Sequence, residues 1–155
     1  MSIASLELKI PPPVVAAAVA AAMWGISLIS PLLQVPAVTR VSVAIAVAVI
    51  GGCFAVGGGI SFRRARTTRN PKKPEAASSL VISGIYKITR NPMYVGVAIV
   101  LVAWAIALSS AWALLGPLAF VLYIGRFQIA PEEGVLAALF DAEYAAYKSR
   151  VRRWL

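Results

Sequence analysis

Long apolar runs alternate with short polar links along this chain. A bilayer core of about 30 Å needs about 20 apolar residues as helix, and four segments read that way. The first runs from Val14 to about Leu33, started by Pro11, Pro12 and Pro13 and closed by Pro31 and Pro36. Proline suits the first turn of a helix and not its interior. The second runs from about Val38 to Phe62 and carries Gly51, Ala55 and Gly59 on one face, the pattern of a close helix–helix seam. The third, about Met93 to Leu108, and the fourth, about Ala111 to Ile129, are separated only by Ser109 and Ser110, which demands an antiparallel hairpin. Both are short for a full span, so they tilt or dip.

The polar stretches are as informative. Residues 63–92 hold Arg63, Arg64, Arg66, Arg69, Lys72, Lys73, Lys87 and Arg90 against Glu75 alone. The other links carry only Arg40, so the basic loop is expected on the cytoplasmic face of the cell (inner) membrane, with both termini beside it after four crossings. From Pro131 to Trp154, Leu136, Leu139, Phe140, Tyr144, Tyr147 and Val151 recur at spacings of three and four. That is one apolar stripe on a helix. Glu132 and Glu133 fall in its first turn and Lys148, Arg150, Arg152 and Arg153 near its end, as the helix dipole favours. The helix either lies on the membrane surface or closes over the ends of the bundle. The expected fold is therefore all-α: one domain of about four transmembrane helices plus a cytoplasmic amphipathic C-terminal helix.

Composition agrees. Hydrophobic residues make up 60% of 155, well above the roughly 45–50% of soluble domains. The net charge of +9 comes from 15 basic against 6 acidic residues. It sits between apolar runs with no nucleic-acid-binding motif, so no nucleic acid partner is expected. Cys53 is the single cysteine and histidine is absent. Disulfides and Cys/His metal sites are excluded, and so is the commonest general base. No small-residue cleavage pattern follows the first apolar run, so it reads as a span and not a cleavable signal. No polar stripe lines the helices as a channel requires.

Two polar clusters remain for chemistry. Ser83-Gly84-Ile85-Tyr86 leads into Arg90-Asn91-Pro92-Met93-Tyr94 at a helix entry, where free backbone N–H groups suit an anionic ligand group. The same residues also suit an ordinary interfacial turn. Arg126, near the end of the fourth apolar run, precedes Glu132 and Glu133. An ionisable residue there snorkels or functions, and the glutamates cap a helix or act as acid–base groups. Arg126, Glu132 and Glu133 are the catalytic candidates.

The run Leu80 to Tyr86, Arg90-Asn91-Pro92-Met93-Tyr94-Val95-Gly96, and Pro131-Glu132-Glu133 with Glu143-Tyr144 downstream resembles the isoprenylcysteine carboxyl methyltransferase family, whose members are phospholipid methyltransferase-like enzymes of membranes. Phe62 to Thr68 and Pro71-Lys72-Lys73-Pro74 are similar to bacterial members. The resemblance covers about Phe62 to Leu155 and implies a minimal, S-adenosyl-L-methionine-dependent methyltransferase without a Rossmann fold. It implies cofactor contacts from Ser78, Ser79, Leu80, Val81, Tyr86, Arg90, Asn91, Pro92, Met93, Tyr94 and Glu132. It further implies an isoprenylcysteine-like, lipid-like acceptor methylated on its carboxylate. Asn91 stands where eukaryotic members have histidine, and Gln128 where they have an arginine near the acceptor carboxylate. Amine or thiol acceptors, such as a phospholipid headgroup, are the alternative enzyme reading. A non-enzymatic module that binds membrane lipids or a partner is the other.

Overall fold

The structure, a computed structural model, describes residues 7–65 and 79–155. It is all-helical, and no strand occurs among the described residues. Helix α1 spans Pro12–Ile29, α2 Ala37–Ala65, α3 Pro92–Leu108, α4 Leu115–Ile124 and α5 Ala130–Arg150. Single 3₁₀ turns cover Gly84–Lys87 and Ala111–Leu114, and a π turn, Gly125–Ile129, joins α4 to α5 without a break.

The boundaries follow local chemistry. Helix α1 stops at Ile29, four residues before the predicted end, because Pro31 disfavours helical geometry at the residue before it. Ser30 is extended, with ψ 152°. Ser109 takes left-handed geometry, φ 54°, and turns the chain from α3 into the hairpin. Leu33 and Ser109 then tie the link before α2 to that corner: Leu33 N donates to the Ser109 carbonyl at 2.7 Å, and Ser109 Oγ donates to the Leu33 carbonyl at 2.8 Å.

The predicted four-plus-one arrangement needs correction. Three helices have the length and apolarity of a span: α1, α2 and the rod Ala111–Arg150. Helix α3 has 17 residues, roughly 26 Å, short of a core of about 30 Å. The C-terminal helix is not a separate element, since it continues α4. The rod's 40 residues come to roughly 60 Å, twice a bilayer core, so only its apolar first half, up to Ile129, suits hydrocarbon. Helix α5 extends beyond, bends at Asp141 (φ 31°, ψ −108°) and ends at Arg150, short of the predicted Trp154.

Lipid gives no hydrophobic drive for helices to associate, so close packing must supply it. The α2–α3 seam does so. A methyl group added to Gly96 would lie 2.5 Å from the Gly51 carbonyl oxygen and 2.6 Å from Ala55 N, and one on Gly58 would lie 2.7 Å from Met93 Cγ. Gly51 and Ala55 thus pack as the spacing predicts, with Gly58 continuing the contact. Met23, Leu101, Ala105, Phe120, Ile124 and Ile129 fill the space among α1, α3 and α4. Outward-facing Leu28, Val38, Ile45, Leu118 and Leu122 stay exposed, as lipid contact requires.

Candidate functional site

Tyr86, Arg90, Tyr94, Glu132, Glu133 and Arg153 gather at one end of the bundle. Pro131 has no N–H, so the carbonyl four residues earlier, Phe127 O, loses its helical partner. The backbone widens into the π turn there, and Leu8 N supplies the missing bond at 3.1 Å. Single π turns often mark functional sites. This one turns Gln128, 2% exposed, into the interior within reach of Glu132.

Glu132 is the centre of the site. Tyr94, at the first turn of α3, donates its hydroxyl to Glu132 Oε1 at 3.3 Å, and Gln128 hydrogen-bonds the same carboxylate. Burial pushes the Glu132 carboxyl up to about 7; the Tyr94 and Gln128 bonds pull it down, and the neighbouring Glu133 charge adds to the rise. Tyr86 is buried beside this group, its phenol raised by burial and by Tyr147 and Glu132. Phe62 meets the Tyr86 ring edge-on at 5.6 Å, and Tyr147 donates its hydroxyl to the Tyr86 carbonyl at 2.7 Å.

Glu133 does a different job. Its Oε1 accepts from Arg90 Nη2 at 2.9 Å and Arg153 Nε at 3.1 Å, and its Oε2 from Arg153 Nη2. One carboxylate held by two arginines fixes α5 to the entry of α3 and to the chain terminus. Backbone bonds complete the joint. Arg90 N donates to Arg152 O at 2.9 Å, Thr89 Oγ1 to Arg153 O at 3.2 Å, and Asn91 Nδ2 to the same Arg153 carbonyl at 2.9 Å. The C-terminal segment therefore closes over the bundle end. Arg90 Nε is buried and, among the described residues, has no hydrogen-bond partner, although the same guanidinium pairs with Glu133 through Nη2.

The predicted residues fall into three groups. Tyr86, Arg90, Asn91, Tyr94, Glu132 and Glu133 meet at this end of the bundle, Pro92 and Met93 pack against Gly58 of α2, Val81 is buried and Leu80 is partly buried. Ser79 Oγ donates to the Ala65 carbonyl at the end of α2, at 3.3 Å. Ser78 lies outside the described residues. Arg126 stands apart: its guanidinium pairs with Glu7 at 2.7 Å, lies over the Phe127 ring, and is 53% exposed. The residues that sequence reasoning passed over are Thr89, Tyr147 and Arg153, while Gln128, singled out as standing in place of an arginine, is found on the Glu132 carboxylate. Tyr147 reads only as part of an apolar stripe and Arg153 only as a terminal cation, so neither carries a local signal of its partner.

The arrangement offers a buried carboxyl, Glu132, and an unsatisfied buried donor, Arg90 Nε, on the arginine that pairs with the adjacent Glu133. That pair fits a ligand bearing both charges, such as an amino acid moiety. Comparison with known proteins places the chain in context. The sequence model for phospholipid methyltransferase matches residues 39–143, about two thirds of the chain. An uncharacterized protein of Haemophilus influenzae is 46% identical over 63 residues, which is 41% of this chain and the whole of that protein. No solved structure matches the chain.

Proposed function

Because the chain belongs to the phospholipid methyltransferase family, a family of membrane methyltransferases, we propose that it transfers a methyl group from S-adenosylmethionine to a lipid-borne amine. The observation that carries the reading is the pairing, at one end of the bundle, of Glu132, buried on hydrogen bonds from Tyr94 and Gln128, with the unsatisfied buried Nε of Arg90, whose guanidinium is held by the neighbouring Glu133. Arg90 Nε would hold the carboxylate of the cofactor's amino acid end, and Glu132 its cationic groups. Bound there, S-adenosylmethionine supplies a methyl group on a positively charged sulfur that leaves as a neutral thioether.

The chain's own residues then bind, orient and exclude water. An ammonium headgroup must lose a proton before its nitrogen can attack. With Glu132 engaged by the cofactor's cationic groups, that proton is lost to water before the headgroup enters the site. The carboxylate-acceptor reading needs no base, but it does need a cation for the acceptor. Arg126 is engaged by Glu7 at the surface, and Gln128 occupies the position the resemblance assigns to arginine. Those two facts favour the amine.

Helix α3 would make a fourth crossing, its deficit of a few Å met by local thinning of the bilayer. Four crossings put the basic loop and both termini on the cytoplasmic face. The contacts of Leu8 with Phe127 and of Arg90 with Arg152, which bring Leu8 and Arg152 to the same end of the bundle, support that topology. The acceptor would enter between helices and the cofactor from the cytosol.

Two measurements test the proposal. Calorimetric titration of S-adenosylmethionine into detergent-solubilised protein is expected to show binding, and no heat at millimolar ligand sinks it. Labelled cofactor with phosphatidylethanolamine and with a prenylcysteine is expected to give a base-stable N-methyl lipid. A base-labile ester as the only product overturns the choice of amine.

A further inference from the structure

At the end of the bundle opposite Glu132, a cleft of about 230 Å³ opens between the first turns of α2 and the α3–α4 corner. Val43, Ala105, Ile106 and Leu114 make its walls apolar, and Arg40 and Ser109 stand on its rim. Arg40 Nε is buried and unpartnered, and among the described residues the Arg40 side chain has no ion pair or hydrogen bond. The whole sequence explains why no partner is at hand. Its acidic residues are Glu7, Glu75, Glu132, Glu133, Asp141 and Glu143. None falls in residues 8–74 or 76–131, which contain every segment lining this cleft. Among the described residues no acidic side chain pairs with Arg40, which leaves its counter-charge to a bound molecule.

Arg40 also has a defined depth. It precedes Arg63 on α2 by twenty-three residues, roughly 35 Å of helix, slightly more than a hydrocarbon core of about 30 Å. With Arg63 at one interface, Arg40 lies at the other, at the level of lipid phosphates. The cleft is smaller than the roughly 300–1,000 Å³ that encloses a whole small molecule. It holds part of an amphiphile and leaves the rest in the bilayer.

We infer that this cleft binds one anionic phospholipid of the leaflet opposite the catalytic end, its phosphate on Arg40 and an acyl chain along Val43 and Ile106. This site is separate from the methyl-transfer reading and stands without it.

Native mass spectrometry of the full chain, equilibrated with equal phosphatidylglycerol and phosphatidylcholine, tests the inference. The wild type is expected to retain one phosphatidylglycerol in roughly tenfold preference, since a charge-assisted contact of this kind is worth about one order of magnitude. Arg40→Gln is expected to remove the preference and Arg63→Gln to leave it intact. Val43→Trp, which keeps the arginine and fills the groove, is expected to reduce retention. Helix content by circular dichroism, unchanged in each variant, separates these losses from misfolding. Equal retention by Arg40→Gln, loss in Arg63→Gln, or no effect of Val43→Trp overturns the site. Displacement by millimolar glycerol phosphate overturns the lipid, leaving a bare anion site. S-adenosylmethionine titration of the same variants is expected to match wild type.

Discussion

Replacing Glu132 with glutamine separates a binding role from a structural one. The carboxyl of Glu132 sits at about 7 in the folded protein against an ordinary 4.5. The folded state therefore binds its proton more tightly than the unfolded state does. That stabilisation is whole below about pH 4.5 and is lost as the pH rises through about 7. At pH 8 the ionised carboxylate costs on the order of 3 kcal/mol relative to a group with an unshifted pKa. Glutamine keeps an acceptor for Tyr94 and has nothing to ionise, so Glu132→Gln is expected to melt at the same temperature or a few degrees higher at pH 8. Ligand binding should move the other way. Removing the anion that faces a cationic ligand costs about 2 kcal/mol, or roughly thirtyfold in Kd. In the wild type, protonation alone should weaken binding about tenfold between pH 8 and pH 6, because the carboxylate goes from mostly ionised to mostly neutral. The assay is calorimetry with S-adenosylmethionine at pH 6, 7 and 8, paired with thermal melts in the same detergent. A variant that melts lower at pH 8, or wild-type binding that ignores pH across this range, would refute the reasoning.

Other substitutions probe the frame around that group. Glu133→Gln leaves Arg90 and Arg153 without their shared anion, and breaking a buried pair costs about 3–5 kcal/mol; thermal melts should fall sharply, and an unchanged melt would dissolve the proposed joint. Gly96→Leu forces α2 and α3 apart where a single added methyl already meets the Gly51 carbonyl, so helix separation and a loss of about 1–3 kcal/mol are expected by thermal melting, and wild-type stability would contradict the seam. Arg126→Ala should alter stability by less than about 1 kcal/mol, as for exposed ion pairs, and leave turnover within a factor of two; a large drop in turnover would return Arg126 to the catalytic centre.

Much of the fold was legible along the chain because membranes impose simple rules. Apolar length marked α1, α2 and the start of the rod, prolines marked the start of α1, and the two-serine link demanded the hairpin. The Gly51–Ala55 seam was legible too, since small residues four apart have one obvious use between helices in lipid. The site was half legible. Tyr94 and Glu132 stood out as polar groups at helix entries. Which of two adjacent glutamates would receive hydrogen bonds and which would be locked between arginines was not, because spacing along one helix does not say what lies across from it.

The sequence by itself determined that this is a helical membrane protein with its polar groups collected at two entry points and no histidine chemistry. Only the tertiary structure decided that α4 and α5 form one rod. The reason is physical: Pro131 frees Phe127 O, and whether that carbonyl ends the helix or is rescued depends on a partner over a hundred residues away, Leu8. The same holds for Arg126 and Arg153. Both are arginines near a helix end. Long-range geometry turned one outward to Glu7 and the other inward to Glu133, and no local pattern distinguishes them.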